Sequence, residues 1–132
     1  MIHPPIKRFI IDVIPNDKQR YSTVGDYYRG VNEEDMYIHV SEMGNNKMEL
    51  LVMIHELIEV ILTEDADIKE KDILKFDTEF EKNRLPGNTD EPGDAIQSPY
   101  KLQHAYATSV ERMMCALLGV DWKDYEDTCS KL

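Results

Sequence analysis

Residues 47–63 read KMELLVMIHELIEVILT, and the segments on either side of this stretch decide the fold. Apolar side chains recur at Leu50, Leu51, Ile54, Leu57, Ile58, Ile61 and Leu62, the three-and-four spacing of an amphipathic helix. Gly44-Asn45-Asn46 breaks the chain just before it and supplies a capping residue. Upstream, residues 6–14 (IKRFIIDVI) are rich in β-branched side chains and end at Pro15, which reads as a strand. Residues 15–23 are polar and form a loop, and a second short strand is expected over 24–29. After the turn material of 30–35, residues 36–42 alternate. Met36, Ile38 and Val40 face one way and Tyr37, His39 and Ser41 the other, as in a half-buried strand. Short connections predict that the three strands form an antiparallel sheet.

Downstream, Asp67 followed by Glu70 resembles a capping box and opens a second helix to about residue 83, buried through Ile73, Phe76 and Phe80. Residues 84–99 (RLPGNTDEPGDAIQSP) hold two Pro-Gly pairs and almost no periodicity; loops of this length often carry function. Ser98 as N-cap and Pro99 at the first helical position start a third helix, which Gly119 stops after residue 118. Residues 121–125 add a short final turn. The expected architecture is α+β: a small N-terminal antiparallel sheet of about three strands, then three main helices, in one domain spanning 1–132.

At 132 residues the chain is long enough to bury a real core. Its formal charge of −11 argues against a nucleic-acid binder that tracks phosphates and against binding to an anionic membrane. Cys115 and Cys129 read as free thiols in a reducing cytoplasm. Pro4-Pro5 and Lys7-Arg8 interrupt any signal-peptide pattern, and His55, Glu56 and Glu59 break the longest apolar run, so no membrane span is expected.

The chemistry sits on two helices. His55 and Glu59 are one turn apart and share a face, with Glu56 beside the first of them. On the third helix His104, Thr108, Glu111 and Cys115 are spaced four, three and four, again one face. A buried face carrying His and Glu is costly unless those groups are paired, hydrogen-bonded or metal-bound. Two such faces are most simply explained if they meet, and an imidazole and a carboxylate one turn apart can close on one metal ion. The plainer readings are an i,i+4 pair for His55 and Glu59, a hydrogen-bonded core histidine for His104 and a salt bridge for Glu111. Asp77, beside Ile73 and Phe80, is an odd place for an acid and is expected to back a histidine or to lie at the helix edge. Asp90, Glu91 and Asp94 form an acidic loop that either binds a cation, covers the site or is simply solvated. His39 and His3 attract no role.

The stretch His55-Glu56-Leu57-Ile58-Glu59, with a sheet before it and a histidine-bearing helix after it, resembles the zincin-like metallopeptidases, whose active helix carries His-Glu-x-x-His. The resemblance implies that His55 is the first ligand, that Glu59 stands where the family has its second histidine, and that His104 is the distal ligand. Glu56 would be the base that activates a metal-bound water. Glu111 would be a further ligand or would orient His104, with Thr108 beside it. Two His and one Glu suit catalytic zinc, and the carboxylate tolerates manganese or iron. The substrate would be a peptide or protein lying along the edge of the third strand. The chain also resembles small phage- or prophage-encoded proteins with a His-Glu-x-x-Glu core.

Two other functions compete. Glu56-Leu57-Ile58-Glu59 resembles the Glu-x-x-Glu of magnesium-dependent nucleotide pyrophosphohydrolases, but no helical Glu-x-x-Asp follows: Glu79 is followed by Lys82, Glu81 by Arg84 and Glu70 by Ile73. The third reading is a non-enzymatic acidic protein that engages a basic partner. A serine or cysteine nucleophile has no supporting motif.

Overall fold

The computed structural model describes residues 3–132. Three strands, β1 (Arg8–Ile14), β2 (Gly25–Arg29) and β3 (Asp35–Ser41), precede four helices, α1 (Asn46–Asp65), α2 (Glu70–Lys82), α3 (Lys101–Leu117) and α4 (Trp122–Ser130). The α+β class and the order sheet-then-helices therefore hold. Single 3₁₀ turns lie at Asn16–Lys18 and Pro92–Asp94. No helix among the described residues is long and apolar enough to cross a membrane.

The sheet is mixed, not antiparallel. Its order is β1-β3-β2, with β3 antiparallel to β2 and parallel to β1. Short connections do reverse the chain between β1 and β2 and between β2 and β3. They fix direction, however, and not adjacency: β3 enters between the first two strands and meets β1 in parallel. Burial explains its central place. Met36, Ile38 and Val40 are all 0% exposed, whereas Phe9, Ile11 and Val13 on β1 stay 37–45% exposed. Each such fully buried aliphatic side chain is worth roughly 1.5–3 kcal/mol relative to exposure. Because β3 has neighbours on both sides, it cannot offer an edge to a peptide, as the sequence had suggested; β1 and β2 are the edge strands.

Helix α1 lies over β2 and β3 and packs along α3. Asn45 caps it through its side chain, accepting from the Met48 amide at 3.1 Å. The buried face is Met48, Leu51, Val52, His55, Glu56, Glu59, Val60 and Thr63. Leu50 and Ile61, expected in the apolar arc, are 38% and 47% exposed. Apolar residues occupy every side of this helix, so counting them cannot select its inner face. The partner helix selects it, by offering polar groups to the polar ones.

The remaining boundaries shift for local reasons. Asp67 is not the cap of α2; it adopts φ 60° and ends α1, with its amide on Glu64 O and that of Ile68 on Thr63 O. This is the left-handed residue of a Schellman stop, a conformation Asp tolerates better than most. α2 begins at Glu70 after Lys69, which makes no side-chain cap. Of its three expected core residues, Ile73 is buried while Phe76 and Phe80 are only half-buried. α3 begins at Lys101, two residues beyond Pro99, and Ser98 Oγ accepts instead from the Tyr100 amide at 3.3 Å. The end of α3 follows expectation: Gly119 takes φ 69° and its amide bonds to Ala116 O. The final turn is a full nine-residue helix, capped by Asp121 and pinned by Tyr125, 2% exposed.

Candidate metal centre

The inner faces of α1 and α3 meet at three atoms. His55 Nε2 lies 3.0 Å from Glu59 Oε2 and 3.2 Å from His104 Nδ1, and His104 Nδ1 lies 2.9 Å from Glu59 Oε2. All three residues are buried, between 4% and 8% exposed. The one-turn spacing on α1 supplies two corners of the triangle, and α3 supplies the third. These groups can hold a metal ion. With ion–ligand bonds of about 2.1 Å, ligand atoms in tetrahedral to octahedral arrangements lie roughly 3.0–3.4 Å apart, close to what is found.

Glu111 is not a corner of the triangle, nor does it orient His104. Its Oε1 lies 2.8 Å from Nδ1 of His55, on the ring edge opposite the triangle. A carboxylate accepting there keeps a proton on Nδ1, which is the tautomer that would leave Nε2 free to bind an ion at the centre. The Tyr125 hydroxyl donates to the other oxygen of Glu111. That role is why α4 matters to the site, and the sequence gives no sign of it beyond a tyrosine in an apolar turn.

Asp77 is buried but backs no histidine. It accepts from Tyr21 Oη at 2.9 Å and from Tyr100 Oη at 2.6 Å, while the Tyr100 ring meets that of His104 edge-on with centroids 6.0 Å apart. Burial raises the Asp77 carboxyl to about 6 against the two tyrosine hydrogen bonds. Thr108 is half-buried with its hydroxyl unpartnered among the described residues, so it supports none of the ligands. His39 lies on the sheet, edge-on to Tyr28, and His3 lines a separate hollow.

Glu56 is also buried. It is 7% exposed, and its carboxyl group lies directly over Gly25 of β2. A Cβ at Gly25 would sit 2.7 Å from Glu56 Oε1, so any larger residue there would displace this carboxyl group. Glu56 shares with the triangle a cavity of about 120 Å³ that Tyr21, Tyr27, Asp77 and Tyr100 also line. Burial, followed by the charge on Glu59, pushes its pKa well above the usual carboxylate range. The Tyr27 hydroxyl in the same cavity is buried and lacks a partner among the described residues. Asp26, by contrast, is neutralised by Arg20 through two bonds of 2.7 and 3.0 Å.

Within the cluster the charges support one another. Burial pushes Glu59 up, yet its hydrogen bonds to His104 and His55 outweigh this and hold it at about 2. Burial lowers His104, but Glu59 and Glu91 raise it to about 10; His55 is likewise driven up by Glu111 and Glu59 against its burial. The loop before α3 closes over this end of the site. Gly93 lies flat on the His104 ring, where a Cβ would fall 2.4 Å from Cγ. Cys115 and Cys129 are both free.

No protein-family model, curated protein or solved structure matches this chain.

Proposed function

We propose that this chain is a metal-dependent hydrolase, with one divalent ion held by His55 Nε2, Glu59 Oε2 and His104 Nδ1. One observation carries the reading: two ring nitrogens and one carboxylate oxygen lie at the corners of a buried triangle with sides of 2.9–3.2 Å. A proton can serve one edge of such a triangle, and the nitrogen–nitrogen edge gains least from protons because both rings already aim at the same oxygen. A cation at the centre serves all three corners. Two His and one Glu suit zinc, and the carboxylate also admits manganese or iron.

Such an ion supplies Lewis acidity and lowers the pKa of water. The chain's own residues supply the rest. Glu111 holds the His55 ring in its ligating tautomer, and Tyr125 holds Glu111. Glu56, buried in the same cavity, would take a proton from the attacking water and return it to the leaving group. The resemblance of residues 55–59 to the zincin-like peptidases favours an amide substrate. With β3 enclosed, the open edge nearest the cavity is that of β2, whose Gly25, Asp26 and Tyr27 line it. The pyrophosphohydrolase reading loses ground because both acids that α2 brings to this cavity are engaged, Asp77 by two tyrosines and Glu70 by the Arg29 amide.

The test is elemental analysis of untagged protein beside Glu59→Gln and Glu56→Gln variants, followed by peptide hydrolysis. Near-stoichiometric metal is expected in wild type and Glu56→Gln and is expected to drop in Glu59→Gln. Hydrolysis in Glu56→Gln is expected to fall by roughly 10²–10⁴-fold. A competing reading is favoured by the raised histidine pKa values: a structural cluster of two imidazolium and two carboxylate groups in a non-enzymatic acidic protein. Folded protein that takes up no zinc, manganese or iron would establish that reading instead.

A further inference from the structure

His104 faces two ways. Its Nδ1 points into the triangle, and its Nε2 points the other way, toward the loop before α3. Nε2 is buried and makes no hydrogen bond among the described residues, although the residue is only 4% exposed. Two carboxylates stand in front of it: Glu91 Oε2 at 3.6 Å and Asp94 Oδ1 at 3.5 Å. Both side chains are open to solvent, 60% and 62% exposed. Glu91 is the residue before the 3₁₀ turn at Pro92–Asp94 and Asp94 is its last, so the turn sets them three residues apart. Gly93 between them fixes the turn to the ring face, because any Cβ would collide with the imidazole.

These separations are too long for hydrogen bonds. They lie near the roughly 3.4 Å edge of a tetrahedron built on bonds of about 2.1 Å. A lone N–H could serve one of the two acceptors, and the other would remain a like charge beside the first. Lys101 does not neutralise the pair by hydrogen bonding: its ammonium donates to the Asp94 carbonyl oxygen, not to the carboxylate.

We propose that Glu91, Asp94 and His104 Nε2 bind a second divalent cation on the solvent side of the ring, so that the His104 imidazole bridges two ions. The protons balance in either state of the inner centre. With an ion on Nδ1, the ring keeps its one proton on Nε2, and the outer cation releases that proton to solvent and leaves a bridging imidazolate. With the inner centre empty, the Nδ1 proton stays, donated to Glu59, and the outer cation displaces the Nε2 proton to solvent and binds there as to a neutral imidazole. The open positions on this second ion face solvent, where an anionic group of a substrate could reach them. The outer ligands are distinct from Glu59 and His55, so the two centres can be separated by experiment.

Metal-stripped full-length protein, its Glu91→Gln/Asp94→Asn variant and Glu59→Gln are dialysed against excess zinc and, separately, manganese. Bound metal per chain is then counted by elemental analysis, with circular dichroism to verify folding. The expected result is two ions in wild type and one in each variant. One ion in wild type that survives in Glu91→Gln/Asp94→Asn and is lost in Glu59→Gln overturns this inference and leaves the inner centre standing. One ion lost in Glu91→Gln/Asp94→Asn but kept in Glu59→Gln supports the outer site and removes the inner. Unchanged stoichiometry in Glu91→Gln/Asp94→Asn under both metals refutes the outer site whatever the wild-type count.

Discussion

Replacing Asp77 by Asn should change not merely how stable the protein is but how that stability depends on pH. Asp77 is 5% exposed and receives one hydroxyl on each oxygen, from Tyr21 and Tyr100. Burial is the largest influence on it and favours the neutral carboxyl; Glu59 and Asp26 add to this, and the tyrosines oppose it. The outcome is a rise from 3.8 to about 6. A group whose folded pKa lies above its unfolded value contributes stability that is complete below the unfolded pKa and disappears as pH rises through the folded one. For Asp77 the window therefore opens near pH 4 and closes just above pH 6. A gap of about two units corresponds to about 3 kcal/mol at 1.36 kcal/mol per unit. Asn cannot titrate, and one of the tyrosines loses an ionisable acceptor, a pH-independent cost of about 1–3 kcal/mol. The informative quantity is thus the difference in unfolding free energy between wild type and Asp77→Asn, measured by urea denaturation of the metal-free protein from pH 4 to pH 7.5. Across that range the difference should move by up to about 3 kcal/mol in favour of the variant. A difference that stays flat, or that moves in favour of wild type, would refute the claim that burial outweighs the two tyrosines.

Two further perturbations probe the supports of the ligands. Glu111→Gln, which removes the anionic acceptor behind His55, should weaken metal affinity by roughly 10–100-fold in competition with a chromophoric chelator, and Tyr125→Phe should act in the same direction to a smaller degree. Unaltered affinity in Glu111→Gln would mean that the His55 ring needs no partner to present Nε2. Gly93→Ala drives a Cβ into the buried His104 ring. It should cost about 1–3 kcal/mol in thermal unfolding and lower metal uptake with it; a variant as stable as wild type would show that the loop does not rest on the ring.

The parts of this protein that could be read in its sequence were those set by local periodicity. β3 was legible from the alternation of Met36, Ile38 and Val40, and α3 from its spaced residues and its Gly119 stop. His55 and Glu59 on one helix and His104 on another were legible because each sits on a polar face with helical spacing, and the structure brings the three together. What stayed hidden depended on partners distant in sequence. The place of β3 between β1 and β2 is a matter of which strand is most buried. The inner face of α1 was hidden because apolar residues surround that helix, and Leu50 and Ile61 look no different in sequence from Leu51 and Val60. Asp67-x-x-Glu70 has the letters of a capping box, yet a left-handed residue was needed to stop α1, and Asp67 filled that position. Glu111 was found but given to the wrong histidine, since one helix face does not reveal which ring of the facing helix it meets. Tyr21, Tyr100 and Tyr125 were missed altogether. Tyrosine in a core is ordinary, and only the buried acids opposite them show what their hydroxyls do.

The distribution of polar contacts around the two histidines argues for a centre that is held more firmly than it needs to be for packing alone. A core histidine needs one partner for its N–H and tolerates a second. Here His55 is clamped from behind by Glu111, which is itself clamped by Tyr125 from another helix, so that α4 is committed to the orientation of one imidazole. His104 is pressed by Gly93 on its ring face and by the Tyr100 ring at its edge, and Tyr100 is held by Asp77 from α2. All four α-helices among the described residues thus contribute to fixing two nitrogens beside one oxygen. In other proteins, replacing a buried ionic cluster with well-packed apolar side chains of similar volume is often neutral or stabilising. Fixed lone pairs converging on one point confer little on a core, but they are what a metal ion requires of its ligands.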